Sequence, residues 1–165
     1  MALAATIEAG DRPALAGVDT AMPEIDHPKL RQLFDYWDGK RDGRVMPARP
    51  DIDPLEIRPL LTNLALVDVE PEPRRYRYRL VGTELVGILG QELTGKYLDE
   101  MPLLYRTFAV GAYTEIMDKK TPTYHVFDTV IPAVFRSVRY KRLMLPLSPD
   151  GGQTISMIMA GFYRF

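Results

Sequence analysis

Few side chains here are spaced for covalent chemistry. Asp51 and Asp53 offer paired carboxylates for acid–base work, but prolines flank them and Glu56 follows Asp53 at capping-box distance, so they read as loop and cap residues. Ser137, Ser148 and Ser156 stand outside any Gly-x-Ser-x-Gly elbow and have no matched histidine. Gly82, Gly87, Gly90 and Gly95 lack the Gly-Lys-Ser/Thr ending of a phosphate loop and read as turns. His27 and His125 are the only histidines, neither has a second histidine at ligand spacing, and no metal is expected. His125 reads as a partly buried strand residue bonded locally. With no cysteine in the chain, disulfides, thiol catalysis, zinc–thiolate centres and thiol-linked cofactors are excluded.

The elements that carry these residues follow from periodicity. Tyr76 to Val81 alternates large apolar residues with arginines, the period of a half-buried strand, and then the period changes. Gly82 ends the strand, Thr83 is the expected helix N-cap, and Leu85, Val86 and Leu89 recur at helical spacing until Gly90 closes the turn. Upstream, Leu30, Leu33, Phe34 and Trp37 form an apolar stripe on a helix expected to stop at Gly39. Asp53, Pro54 and Glu56 announce a helix through about Leu61, distorted by Pro59. Strands are expected over Leu64–Glu70, Tyr76–Val81, Thr123–Val130, Val138–Pro146 and Gln153–Phe162. The long helix falls between the second and third, from Pro102 to Lys119, with Tyr105, Phe108, Ala109, Ala112 and Ile116 on one face.

Composition bounds the partners. A chain of 165 residues makes one domain with a real core, and a net charge of −1 gives no broad basic field for duplex nucleic acid or an anionic membrane. The clustered cations, Arg74 to Arg79 and Arg136 to Arg142, read as solvated sheet faces and edge protection. Residues 1–26 read as a flexible leader and 27–165 as a single domain; neither a secretory signal nor a membrane span is visible, so the chain reads as cytoplasmic. No output domain follows the last strand, so a signal is expected to leave through another protein.

The blocks YWDGKRDGRVMPARPDIDP, RYRYRLVGTELVGILGQELTGKYLDEM and YKRLMLPLS, with the closing strand, Pro, Asp-Gly turn and strand of LPLSPDGGQTISMIMAGF, resemble the bacterial PAS type 5 subfamily, formerly a domain of unknown function. The resemblance implies an α+β fold: a five-stranded antiparallel sheet with helices over its concave face, a pocket between them, and here an additional N-terminal helix. Aligning the proline before the Asp-Gly turn with its counterpart in the family implies that Tyr140, Arg142 and Met144 face inward beside Met157, Met159 and Gly161. The pocket is then expected to be lined by Tyr78, Tyr97, Phe108, Tyr140, Arg142, Met144, Met157 and Met159. Arg142 is expected to meet an anion there, either a ligand or an internal acid. Leu143, Leu145 and Ile158 face outward, and the stripe Leu30, Leu33, Phe34 and Trp37 is expected to cover Leu143 and Leu145 or to join a second subunit.

The cofactors known for such domains demand residues that are absent. The long helix has no histidine for haem, and no cysteine exists for a flavin adduct or a coumaryl chromophore. No haem, no flavin adduct and no metal is therefore expected, and an unidentified small molecule is the expected ligand. The reading is a non-catalytic sensory or regulatory module, a homodimer or the partner of an unidentified signalling protein. A ligand-free interaction adaptor is the alternative. A small-ligand enzyme using a tyrosine, Asp128 or His125 as acid or base is the weaker one.

Overall fold

The computed structural model describes residues 24–131 and 136–165. Its centre is a sheet of five antiparallel strands, β1 (Leu64–Pro71), β2 (Arg74–Val81), β3 (Thr123–Ile131), β4 (Arg136–Leu147) and β5 (Met157–Arg164), in the order β2-β1-β5-β4-β3. Between β2 and β3 the chain forms α2 (Thr83–Leu89) and α3 (Leu103–Lys119), and α1 (Pro28–Arg41) precedes the sheet. This is the architecture expected of the sequence.

Each helix boundary has a local cause. Pro28 opens α1, where a missing N–H costs nothing, and the helix runs past Gly39 to end on Asp42 in the left-handed region at φ 47°, with Gly43 behind it at φ 76°. Gly82, rather than Thr83, is the N-cap of α2. Only glycine fits there, because a Cβ would sit 2.3 Å from the Thr62 carbonyl oxygen. The helix expected after Asp53 does not form. Asp53 Oδ1 accepts from the Leu55 N–H at 2.9 Å and closes a turn, and Pro59 then opens a 3-10 segment, Arg58–Asn63. Glu56, freed from capping, binds Lys40 Nζ at 2.7 Å and accepts from the Tyr36 hydroxyl at 2.8 Å. The leader expected over residues 1–26 lies outside the described residues as far as residue 23. Beyond it, Ile25 is buried, and Asp26 accepts from Lys141 Nζ at 2.6 Å, so these two belong to the domain.

Strand pairing sets the faces. Residues directly opposite across an antiparallel ladder share a face. Arg142 opposes His125 on β3 and Phe162 on β5, whereas Leu143 opposes Gly161 and Leu145 opposes Met159. Met157 and Met159 therefore lie with Leu143 and Leu145, not with Arg142, and the inward assignment of Met157, Met159 and Gly161 is corrected. Ile158, expected to face outward, lies on the Arg142 side with Ala160. The cause is the connection after β4: residues 148–156 form an irregular loop tied to Pro47 through Ser148, and it returns the chain so that Leu147, not Pro146, opposes Met157. Because a strand alternates with period two, this one-residue difference in register exchanges every face.

The outer face of β4 and β5 receives α1. A Cβ on Gly161 would lie 2.7 Å from a Leu30 methyl and 2.9 Å from a Leu33 methyl, so glycine lets the helix rest on the strand backbone. Trp37 donates its indole N–H to the Pro146 carbonyl at 2.9 Å. Leu30, Leu33, Phe34, Trp37, Leu143 and Leu145 are all buried within one chain. The stripe accordingly gives no ground for a second subunit. On the opposite face, α2 and α3 cover the sheet, Tyr113 stacking on Tyr76 at 4.8 Å and Ile88 packing against Val138 and Tyr140.

Candidate functional site

Beneath α3, the inner face gathers groups that ordinary cores avoid. β2 contributes Tyr78, α3 contributes Tyr105 and Tyr113, and β4 contributes Arg142. Tyr78 and Tyr113 are buried, and the Tyr78 hydroxyl lies near enough to those of Tyr105 and Tyr113 for the three to influence one another's ionisation. Burial, followed by these neighbours, pushes the Tyr78 phenol well above its usual range, and burial does the same for Tyr105 and Tyr113, so all three stay protonated. Even if the Tyr78 hydroxyl bonded both of its neighbours, at most two of the three protons would be used. At least one O–H remains to donate.

Arg142 is the charged member. Its guanidinium lies over the Phe127 ring at 4.9 Å, and its Nε is sealed from solvent without a hydrogen-bond partner. Among the described residues no carboxylate pairs with it. Burial lowers its pKa, with the three phenols and Glu115 pulling the other way. Glu115 is already engaged, by Lys119 Nζ at 2.6 Å and by His125 Nε2 at 2.8 Å. Burial opposes its ionisation, but Lys119 and His125 outweigh that and hold its carboxyl below the usual value. Burial depresses His125 as well, with Arg142 adding to the effect and Glu115 opposing it. A neutral imidazole donating from Nε2 to Glu115 leaves Nδ1, which is buried and unpartnered, as an acceptor. What remains open around Arg142 is thus an N–H of the guanidinium and a phenolic O–H, a donor set that suits a carboxylate or another acceptor-only anion.

A second feature lies further along β4. Tyr140 is buried, stacks on Phe127 at 5.7 Å, and carries a sealed hydroxyl without a partner. It is among the residues lining an open cleft of about 890 Å³ between α2 and the β4–β5 ends, with Gly87 and Ile88 on the helix side and Val138 and Tyr163 on the sheet side. Among the described residues no group of three or more His, Asp or Glu could hold a metal ion, and no helix is long and apolar enough to cross a membrane.

Of the expected lining residues, Tyr78, Tyr140, Arg142 and Met144 do lie on this inner face, by contact or by strand alternation. Met157 and Met159 face α1, as described above. Tyr97 is held at the β2 edge, its hydroxyl donating to Glu70 at 2.9 Å and its ring covered by Arg75 at 3.6 Å, away from Arg142. The side chain of Phe108 is outside the described residues. The expectation omitted Tyr105, Tyr113 and Phe127 from the lining. Ala109, Ala112, Tyr113 and Ile116 are buried at i, i+3, i+4 and i+7, a stripe that would have included Tyr113. Phe127 is found only through its cross-strand pairing with Tyr140.

Comparison with known proteins agrees with this fold. Among curated proteins none matches the chain by sequence. A solved light-oxygen-voltage domain, studied with a flavin analogue, is similar at TM-score 0.50 and 12% identity, over 67% of this chain and 84% of that one. The light state of the blue-light photoreceptor Aureochrome1 LOV is similar at TM-score 0.47 and 11% identity, over 67% and 86%. The PAS domain of Bordetella pertussis BvgS is similar at 0.39 and 16%, over 68% and 86%. The sequence model of one family, described as PAS_5, a PAS domain, matches residues 25–162, from the segment that leads into α1 to within the last strand, and the chain belongs to that family.

Proposed function

We propose that the chain is a cytoplasmic, non-catalytic sensory or regulatory module that binds a small anion beneath α3 and passes its occupancy to a protein partner or a second copy. The observation that carries this reading is Arg142, a guanidinium with a sealed Nε and, among the described residues, no carboxylate bonded to it. A bound anion would supply the missing counter-charge, accepting from the guanidinium and from a phenol of the Tyr78, Tyr105 and Tyr113 group. A route outward exists on the same strand. Arg142 is on the inner side of β4, and Leu143, Leu145 and the Pro146 carbonyl that accepts from Trp37 lie under α1 on the other. Occupancy can therefore shift the balance between two seatings of α1, the element a partner would contact. The flavin analogue of the similar light-oxygen-voltage domain belongs to that protein; this chain has no cysteine with which to form a thiol adduct.

Thermal unfolding with acetate and with inorganic phosphate as probes tests the reading. The wild-type protein should be stabilised by at least one of them in a saturable manner, and Arg142→Met should not respond. An equal response in both proteins, or none in the wild type, would remove the anion site and favour a ligand-free adaptor.

A further inference from the structure

Two consecutive residues ahead of α1 grip three strands of the sheet. Asp26 accepts from the Tyr124 hydroxyl on β3 and from Lys141 Nζ on β4, and the imidazole of His27 stacks on the Tyr163 ring of β5 at 4.5 Å. Ile25, just before them, is buried. Lys141 opposes Tyr163 across the β4–β5 ladder on the side that carries Leu143 and Gly161, so the grip is on the face where α1 rests. His27 is also the N-cap of α1: its carbonyl accepts from the Arg31 N–H at 2.8 Å, while its side chain makes no capping bond.

This setting suits an uncharged ring. An imidazolium carries a proton on both nitrogens, and Nδ1 is sealed from solvent without a partner, so its N–H would have no acceptor. The positive end of the α1 dipole begins at the same residue, and the Lys141 ammonium repels a second cation beside it. Tyr124 and Tyr163 bring phenols that stay protonated near neutral pH, and Arg31, in the first turn of the helix, is a further cation, paired with Asp35 at 3.1 Å. Asp26 alone favours the charged ring, and each of its oxygens already accepts a bond. Burial and Lys141 together outweigh it.

We propose that residues 25–27 form an acid-released latch: with His27 neutral they fasten the start of α1 to β3, β4 and β5, and protonation of His27 frees that start while the rest of α1 stays seated. The latch is closed above the ordinary imidazole value of about 6.5 and is lost as pH falls through the lower value His27 has when fastened. Beyond the first turn nothing titrates with it, because Leu33, Phe34 and Trp37 are buried and Trp37 bonds the Pro146 carbonyl. The device acts on the element proposed to carry the signal and does not depend on what lies beneath α3.

Backbone order parameters of the intact protein, measured by nuclear magnetic resonance well above and well below about pH 6.5, test the latch. On acidification the order parameters of the Asp26, His27 and Lys29 amides should fall from about 0.85 to below about 0.6, while those of Phe34 and Trp37 keep the rigid value. His27→Phe keeps a ring for Tyr163 and cannot titrate, so it should hold the three amides rigid at both pH values. Should His27→Phe fail to fold, His27→Asn, a non-titrating residue favoured at helix N-caps, takes its place with the same expectation. Amides that stay rigid in the acidified wild type, that loosen only together with Phe34 and Trp37, or that loosen on acidification as much in the variant as in the wild type would overturn the latch. None of these results bears on Arg142, which lies on the opposite face of the sheet.

Discussion

A guanidinium whose Nε is sealed from water and which no carboxylate bonds destabilises the fold that holds it, and this gives substitutions at Arg142 a direction. Arg142→Met keeps much of the volume and removes the charge. In the absence of an anion it should raise stability to urea by about 1 kcal/mol or more. A loss of that size instead would make Arg142 a structural residue. His125 sets a pH dependence. Its folded pKa is depressed below the ordinary value of about 6.5, first by burial and then by Arg142, against Glu115. A depressed pKa contributes stability that is present above the ordinary value and lost as pH falls through the folded one. Stability should therefore fall on acidification below about pH 6.5, and His125→Gln should flatten part of that slope. His27, which burial depresses likewise, contributes to the same range, and depressed carboxyls such as Glu115 add to the loss at lower pH. Equal slopes for wild type and variant in urea melts across that range would contradict the neutral, Glu115-bonded imidazole.

At the scale of elements, two glycines with opposite surroundings make a paired prediction. Gly161 supports α1 with Leu30 and Leu33 closer than a Cβ allows, so Gly161→Ala should destabilise by about 1–3 kcal/mol as the helix is forced outward. Gly87 faces open space, so Gly87→Ala should stabilise by about 0.5–1 kcal/mol. Chemical denaturation of the two variants checks both signs. The sequence displays α1 and its stripe plainly, because four apolar residues at helical spacing announce a buried face. It displays β2 equally well through its tyrosine and arginine alternation. It does not display the phase of β5. Met157 to Ala160 are buried on both sides of that strand, so alternation is absent and only the loop that precedes it decides which methionines face inward. The lost helix after Asp53 has a comparable cause, since cap and proline signals also suit a turn followed by a 3-10 segment.

At the scale of the molecule, the order of strands and helices carried the fold, because the change of period at Gly82 sets the helices between an opening pair of strands and a closing run of three. The candidate site was legible only in part. Arg142, Tyr78 and Tyr140 lie on strands whose phase can be read, whereas their grouping with Tyr105, Tyr113 and Phe127 depends on how α3 crosses the sheet and on cross-strand register, which no local pattern encodes. That grouping is what turns a family fold into a claim about an anion. The most direct test observes the Arg142 Nε–H itself, by heteronuclear magnetic resonance of the intact protein, assigned by its disappearance in Arg142→Lys, during titration with acetate. The account predicts a saturable downfield shift of that resonance, as expected of an N–H that gains a charged acceptor, larger than the shift of any other arginine Nε–H. A resonance that stays fixed while acetate saturates the solution, or one that moves no more than those of the surface arginines, would contradict it.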